Sequence, residues 1–160
     1  MRTSVPLAVS VSRVIDASAE AVYDIVSDVT AMGDYSPENT GASWLGGATD
    51  AVVGARFEGA NALGSLHWST KPTVTAADRG RRFEFVVPGR SGATWTYTFD
   101  PVAGGTKVTE SMRQERRSPL PIRLLQRRAG VTDRAEHLRS AMVTTLDRVA
   151  LVAERRPSLR

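Results

Sequence analysis

Ala93-Thr-Trp-Thr-Tyr-Thr-Phe-Asp100 alternates without a break, with Trp95, Tyr97 and Phe99 on every second position and Thr94, Thr96 and Thr98 between them. Successive side chains of an extended strand point to opposite faces, so this stretch predicts a strand in a sheet with one apolar and one polar face. The same grammar holds in Ala42–Leu45, Ala51–Ala60, Ser65–Ala76, Arg81–Val87 and Thr106–Gln114. Turn signals separate the runs: Gly46-Gly47, Asn61 to Gly64, Asp78 to Gly80, Pro88 to Gly92 and Val102 to Gly105. Connections this short join antiparallel neighbours. A further strand opens the chain, where Val5 to Val14 alternates around Val9 and Val11.

A sheet with one apolar face needs a cover. Leu138, Met142, Leu146, Val149 and Val152/Ala153 recur at helical spacing, after a capping-box-like start at Asp133 and Glu136 and before Pro157. This long C-terminal helix is the natural lid. Behind the first strand, Asp16-Ala-Ser18 offers an N-cap and Glu20 an acid in the first turn. Ala21, Val22, Ile25 and Val26 then predict a helix over about residues 19–27. Val29 to Tyr35 predicts a second short helix, ended by Ser36-Pro37-Glu38-Asn39, since the proline disfavours a helical Ser36. Ile122 to Arg128 reads as a short amphipathic helix with Pro121 in its first turn. The expected fold is α+β: a curved seven-stranded antiparallel sheet around a long C-terminal helix, with two short helices after the first strand. Between sheet and helix lies a space lined by the inward aromatics. One domain is expected over residues 1–156, with a short tail at 157–160.

The 160 residues and 17.3 kDa suit that single domain. The chain has no cysteine, which excludes disulfides, thiolate metal sites, iron–sulfur clusters and cysteine nucleophiles. His67 and His137 are the two histidines and lie far apart, so no metal site is expected. Neither a Gly-x-Ser-x-Gly elbow nor a phosphate loop occurs. No run of apolar residues is long enough for a membrane-crossing helix, and the opening segment lacks the apolar block of a signal peptide, so the cytoplasm is the expected location. Charge is uneven. Residues 1–115 hold 10 basic and 13 acidic side chains, and residues 116–160 hold 11 and 4. The basic character therefore belongs to the C-terminal segment, which suits phosphates or acidic lipids and is too local for a general nucleic-acid binder. No DNA partner is expected.

Val14-Ile-Asp-Ala-Ser-Ala-Glu-Ala-Val-Tyr-Asp-Ile-Val-Ser-Asp28, followed by Tyr35-Ser-Pro37, resembles the opening of the START-like (SRPBCC) superfamily, and within it the polyketide cyclase/dehydrase and lipid-transport group. Gly54-Ala-Arg-Phe-Glu-Gly-Ala-Asn61, Trp68 and Gly104-Gly-Thr-Lys-Val-Thr-Glu110 are similar to an actinobacterial branch of that group. The resemblance covers roughly residues 8–155. It implies a helix-grip fold, with the long helix lying across the sheet and enclosing a cavity. Its members bind lipids, sterols, polyketides, quinones or hormones; some are cyclases or dehydratases and others carry or sense a ligand. The paired His and carboxylate motif of the metal-bearing oxygenase relatives is missing, and no cofactor is expected.

On this reading Phe57, Trp68, Phe85, Trp95, Tyr97 and, on the helix, Met142 are the candidate lining of the cavity; packed core is the alternative for each aromatic. Trp68 and Trp95, bulky rings with one N–H, suit a ligand with an apolar body and a polar handle. Tyr35 stands where the resemblance puts a cavity wall or mouth, and Asn61 shares the strand parity of Phe57. Glu110 shares a face with Val108 and Met112, so it points inward if they do. A carboxyl in an apolar cavity would have a raised pKa and could bind a ligand hydroxyl or act as acid or base, which makes Glu110 the catalytic candidate; the alternatives are a structural partner for a nearby Arg or Tyr, or a strand twist that returns it to solvent. By parity His67 faces outward, and His137 is expected in solvent. Arg116, Arg117, Arg123, Arg127, Arg128, Arg134 and Arg139 interleave with Leu120, Ile122, Leu124 and Leu125. The expected arrangement is a solvated helix packing its leucines on the sheet edge, with transient membrane contact as the alternative.

Three functions compete. The leading one is a carrier or sensor, monomer or homodimer, that holds a small hydrophobic ligand such as a lipid, polyketide or quinone-like molecule. The second is a metal-free cyclase or dehydratase using Glu110 and Tyr97. In the third, the Arg-rich segment 116–139 meets RNA, a ribosome or a membrane.

Overall fold

The computed structural model describes residues 7–89, 92–115, 120–130 and 133–155. The order is β1 (Leu7–Ile15), α1 (Ala19–Ser27), a 3-10 turn (Val29–Asp34), β2 (Asn39–Trp44), β3 (Phe57–Leu63), β4 (Leu66–Thr70), β5 (Thr73–Asp78), β6 (Arg82–Val87), β7 (Ala93–Val102), β8 (Gly105–Gln114), α2 (Leu120–Arg128) and α3 (Arg134–Arg155). All strand pairs are antiparallel. The tail expected at 157–160 lies outside the described residues.

Eight strands in two sheets replace the expected seven in one. Five strands run β1-β8-β7-β6-β5 and three run β2-β3-β4. The extra strand comes from Pro72, which splits the run Ser65–Ala76 into β4 and β5. Proline has no N–H for a ladder, but its carbonyl still accepts, here from Phe57 N–H at 3.2 Å. A single bridge between Arg56 and Thr73 joins the two sheets at that point. The run Ala51–Ala60 is also shorter than expected. The strand begins at Phe57, and the preceding Val52 and Val53 stand exposed in a turn closed by Ala55 N–H to the Val52 carbonyl.

Local chemistry accounts for the helices. Ser18 caps α1, its hydroxyl accepting from Ala21 N–H at 3.1 Å. Asp133 does the same for α3, accepting from Glu136 N–H at 3.2 Å. Tyr23 of α1 meets Phe99 and Phe83 edge-on, with ring centroids 5.5 and 6.3 Å apart. The β7–β8 hairpin needs glycine at 105: φ is +135°, and a Cβ there would collide with the Ile15 carbonyl.

The α3 stripe Leu138, Met142, Leu146 and Val149 is buried, while Arg139 and Arg148 face solvent. Polar contacts tie the rim of α3 to the sheet side: Arg13 pairs with Asp147, Glu154 accepts from Asp16 N–H at 3.2 Å, and Arg148 donates to the Tyr35 carbonyl at 3.3 Å. This is the helix-grip arrangement, a curved antiparallel wall wrapped on one long helix. The sheet edge does not receive the leucines of α2. Leu120, Ile122, Leu124 and Leu125 are all exposed, contrary to the expected packing.

Candidate functional site

The register of the large sheet builds one polar point into an apolar wall. Val11 on β1, Glu110 on β8, Tyr97 on β7 and Phe83 on β6 stand side by side. The neighbouring row on the same face is Val9, Met112, Trp95, Phe85 and Val74. Glu110 is thus flanked by Val108 and Met112 along its strand and by Val11 and Tyr97 across it. The buried apolar residues form two separate clusters. Val108 belongs to the larger, with Phe57, Phe83, Phe85, Phe99, Leu146 and Val149. Met112 belongs to the smaller, with Val9, Leu138 and Met142. Glu110 lies on its strand between the two, and half-buried Val11 and Trp95 touch both.

Glu110 is 3% exposed. Burial pushes its carboxyl up to about 8, and the Tyr97 hydroxyl, a hydrogen-bond partner, draws it back only in part. The Tyr97 phenol is itself raised, first by burial and then by the negative charge Glu110 would carry. At neutral pH Glu110 is therefore mostly a neutral acid, able to donate one hydrogen bond and accept others. Its Oε2 has no partner among the described residues. A buried carboxyl oxygen without a partner is uncommon in a folded protein, because leaving it unpaired costs roughly 1–3 kcal/mol.

A second polar row crosses the small sheet, where Asn39, Asn61 and Trp68 stand in register on β2, β3 and β4. Asn39 is buried, and its amide donates to Asn61 Oδ1 at 3.4 Å while its own Oδ1 has no partner. Asn61 in turn donates to the Gly59 carbonyl at 3.4 Å. Beside this row Glu38 clasps the first turns of α3: it accepts from Arg134 at 2.5 and 3.2 Å and lies 3.0 Å from His137 Nε2. His137 is half-buried rather than in solvent, because the glutamate draws it against β2.

The remaining candidates separate. Phe85 stacks on Trp95 at 6.5 Å and meets Phe57 edge-on at 5.2 Å, so these three rings form one wall beside Tyr97. Met142 faces that wall from α3 within the smaller cluster. Tyr35 is half-buried against the larger cluster. Trp68 is half-buried next to Asn61 and joins neither cluster, so the structure does not bring it to Trp95. His67 is exposed. Sequence reasoning missed three residues. Trp44 packs edge-on against Phe57 at 5.8 Å, Asn39 is buried, and Glu38 forms the clasp. Sequence reasoning puts Asn39 at the end of the Ser36-Pro37-Glu38-Asn39 break, whereas β2 already begins there.

The described residues contain no cluster of three or more His, Asp or Glu that could hold a metal ion. Chemically, the arrangement offers a neutral carboxyl and a phenol within an aromatic and aliphatic shell. It can hold a carbonyl or hydroxyl on an otherwise apolar molecule, and it can present a proton to one.

Three solved structures share this architecture. Major latex-like protein 151 from Panax ginseng superposes with a TM-score of 0.70 at 11% identity, over 94% of this chain and 99% of that one. Protein CV1439 from Chromobacterium violaceum gives 0.68 at 16%, over 93% and 99%. The polyketide-cyclase-like protein Cgl2372 from Corynebacterium glutamicum gives 0.53 at 29%, over 94% and 90%. No protein of curated function matches the sequence. The family model for polyketide cyclase / dehydrase and lipid transport matches residues 6–154, nearly the whole chain. Element order, the helix gripped by the sheet and this match agree: the chain belongs to the polyketide cyclase / dehydrase and lipid transport family of the START-like (SRPBCC) superfamily.

Proposed function

We propose that the protein is a carrier or sensor that holds a small, mostly apolar molecule between the sheet and α3, with Glu110 gripping its polar end. Family membership supports the general part, binding of a hydrophobic small molecule. The finer part is carried by one observation: a buried, mostly neutral Glu110 with an unpartnered oxygen, set between two separate apolar clusters. A ligand hydroxyl would donate to that oxygen, and a ligand carbonyl would accept the carboxyl proton. The apolar body would lie on Phe57, Phe85, Trp95 and Met142. Lipids, polyketides and quinone-like molecules all have this division between body and handle.

Native mass spectrometry of the protein purified from its own host, with extraction of any bound molecule, is the primary test. A co-purifying apolar molecule bearing a hydroxyl or carbonyl is the expected result. In parallel, an apolar fluorescent probe should bind and quench tryptophan emission, and Trp95→Ala should weaken it about tenfold or more, given the ring area lost. Absence of both a co-purifying molecule and probe uptake would mean a filled core.

A second reading has its own support in the Glu110–Tyr97 pair. It is an acid beside a phenol in a water-poor setting, as a metal-free cyclase or dehydratase would use. Glu110→Gln separates the two. For a carrier the amide keeps the shape and most of the binding. For an enzyme binding survives while turnover of the native substrate falls by on the order of 10²–10⁴-fold.

A further inference from the structure

α2 is a helix without a buried side chain. Leu120, Ile122, Leu124 and Leu125 expose 59%, 41%, 50% and 41% of their surface. At 100° per residue, Leu120, Leu124, Pro121, Leu125 and Ile122 fall in one arc of about 200°, and Arg123, Gln126 and Arg127 fill the other side. Arg128 lies within the apolar arc, at its C-terminal end. In sequence, residues 116–132 hold five arginines and no aspartate or glutamate. Single exposed apolar side chains need no explanation, but three leucines and an isoleucine on one nine-residue helix, opposite two arginines and a glutamine and with no acid, do.

Three surfaces could cover such a helix, and they make different use of its residues. A nine-residue helix is only about 14 Å long, so its face falls far short of the roughly 800 Å² per partner typical of a stable protein interface. A nucleic acid would pair with the arginines and leave the leucines in water, because phosphate contacts carry its binding. An anionic bilayer uses both. Apolar side chains enter the boundary between headgroups and acyl chains, while long arginine side chains extend back to the lipid phosphates. The placement of α2 fits a docking element. It leads through Ala129, packed on the Gly64 turn of the β3–β4 hairpin, into the α3 turns clasped by Glu38. That is the end of the molecule that carries the Asn39–Asn61–Trp68 row.

We propose that α2 is a peripheral docking helix for an anionic lipid bilayer. The inference rests on α2 alone and not on any ligand between sheet and α3. The test is co-sedimentation of the full chain with vesicles of phosphatidylcholine, and with vesicles of phosphatidylcholine containing phosphatidylglycerol. Binding is expected only to the second kind and should weaken as salt is raised. Arg123→Gln with Arg127→Gln should lower binding about 25-fold, at roughly fivefold per arginine. Leu124→Glu with Leu125→Glu should lower it at least tenfold, with circular dichroism and Tm unchanged because both positions face solvent. No binding to anionic vesicles, or binding that ignores either pair of changes, would overturn the proposal. So would two other results: RNA binding that is lost with the arginines and kept without the leucines, or self-association that disappears in Leu124→Glu.

Discussion

α2 and α3 both interleave leucine with arginine, yet they end in opposite environments. Both predict an amphipathic helix from spacing alone. α3 buries Leu138, Met142, Leu146 and Val149, whereas α2 buries nothing. The difference is one of reach and anchoring. With 22 residues, α3 crosses β1 and reaches α1, and its rim is tied by Arg13–Asp147, Asp16–Glu154 and Glu38–Arg134. α2 has nine residues and no ion pair to the sheets among the described residues. An apolar stripe specifies which side of a helix is sticky. It does not specify what the side sticks to.

The sharpest way to break this contrast is paired truncation. Leu146→Ala should cost about 2–5 kcal/mol in chemical denaturation, and Leu124→Ala should stay within about 0.5 kcal/mol. Similar costs at the two sites would mean that α2 is part of the core.

The next effect concerns what α3 covers. The folded-state pKa of Glu110, about 8, lies above the ordinary glutamate value of 4.5. Its contribution is therefore fully present below about pH 4.5 and declines as pH rises through about 8, since the unfolded chain releases its proton first. Stability should fall over that window by a few kcal/mol, and Glu110→Gln should flatten this part of the profile. A profile unchanged by Glu110→Gln would place the carboxyl in contact with water or a cation.

A smaller effect is expected at the start of α3. Glu38→Gln removes the charge that Arg134 and His137 share, in a half-buried setting, and should cost about 1–2 kcal/mol. Glu136→Gln, whose partner Arg139 is exposed on the same helix, should cost no more than about 0.5 kcal/mol. Equal costs would mean that the Glu38 clasp is solvated and does not anchor α3.

Much of the molecule was legible without coordinates, because it depends on near neighbours. The alternation of Trp95, Tyr97 and Phe99 sets the faces of β7. The cap at Ser18 and the stripe from Leu138 to Val149 set α1 and α3. Strand parity carries Glu110 to the face of Val108 and Met112. Each of these follows from the period of a backbone conformation or from one side chain meeting an N–H three residues on. Within the candidate site, the Phe85–Trp95 pair follows from the same rule, since the two rings stand opposite each other on β6 and β7, whereas Phe57 joins them from the other sheet.

Other features needed the chain to close on itself. Pro72 turned one run into two strands, and the two sheets that result put Asn39 beside Asn61. Trp68 took the right face of its strand but lies on the small sheet, away from Trp95. With 19 arginines in the chain, only packing could decide that none of the described ones reaches Glu110 and that Glu38 collects Arg134 and His137. Charges and buried polar groups answer to whatever is close in space, and the partners here lie far apart in sequence: 96 and 99 residues for Glu38 and 134 for Arg13 with Asp147. Most elements and their inward faces could be read from residue order, because backbone periodicity is local; the division into two sheets, the ionisation of Glu110, the anchoring of α3 and the exposure of α2 came only with packing, because desolvation, strand pairing and ion pairing depend on which distant segments meet.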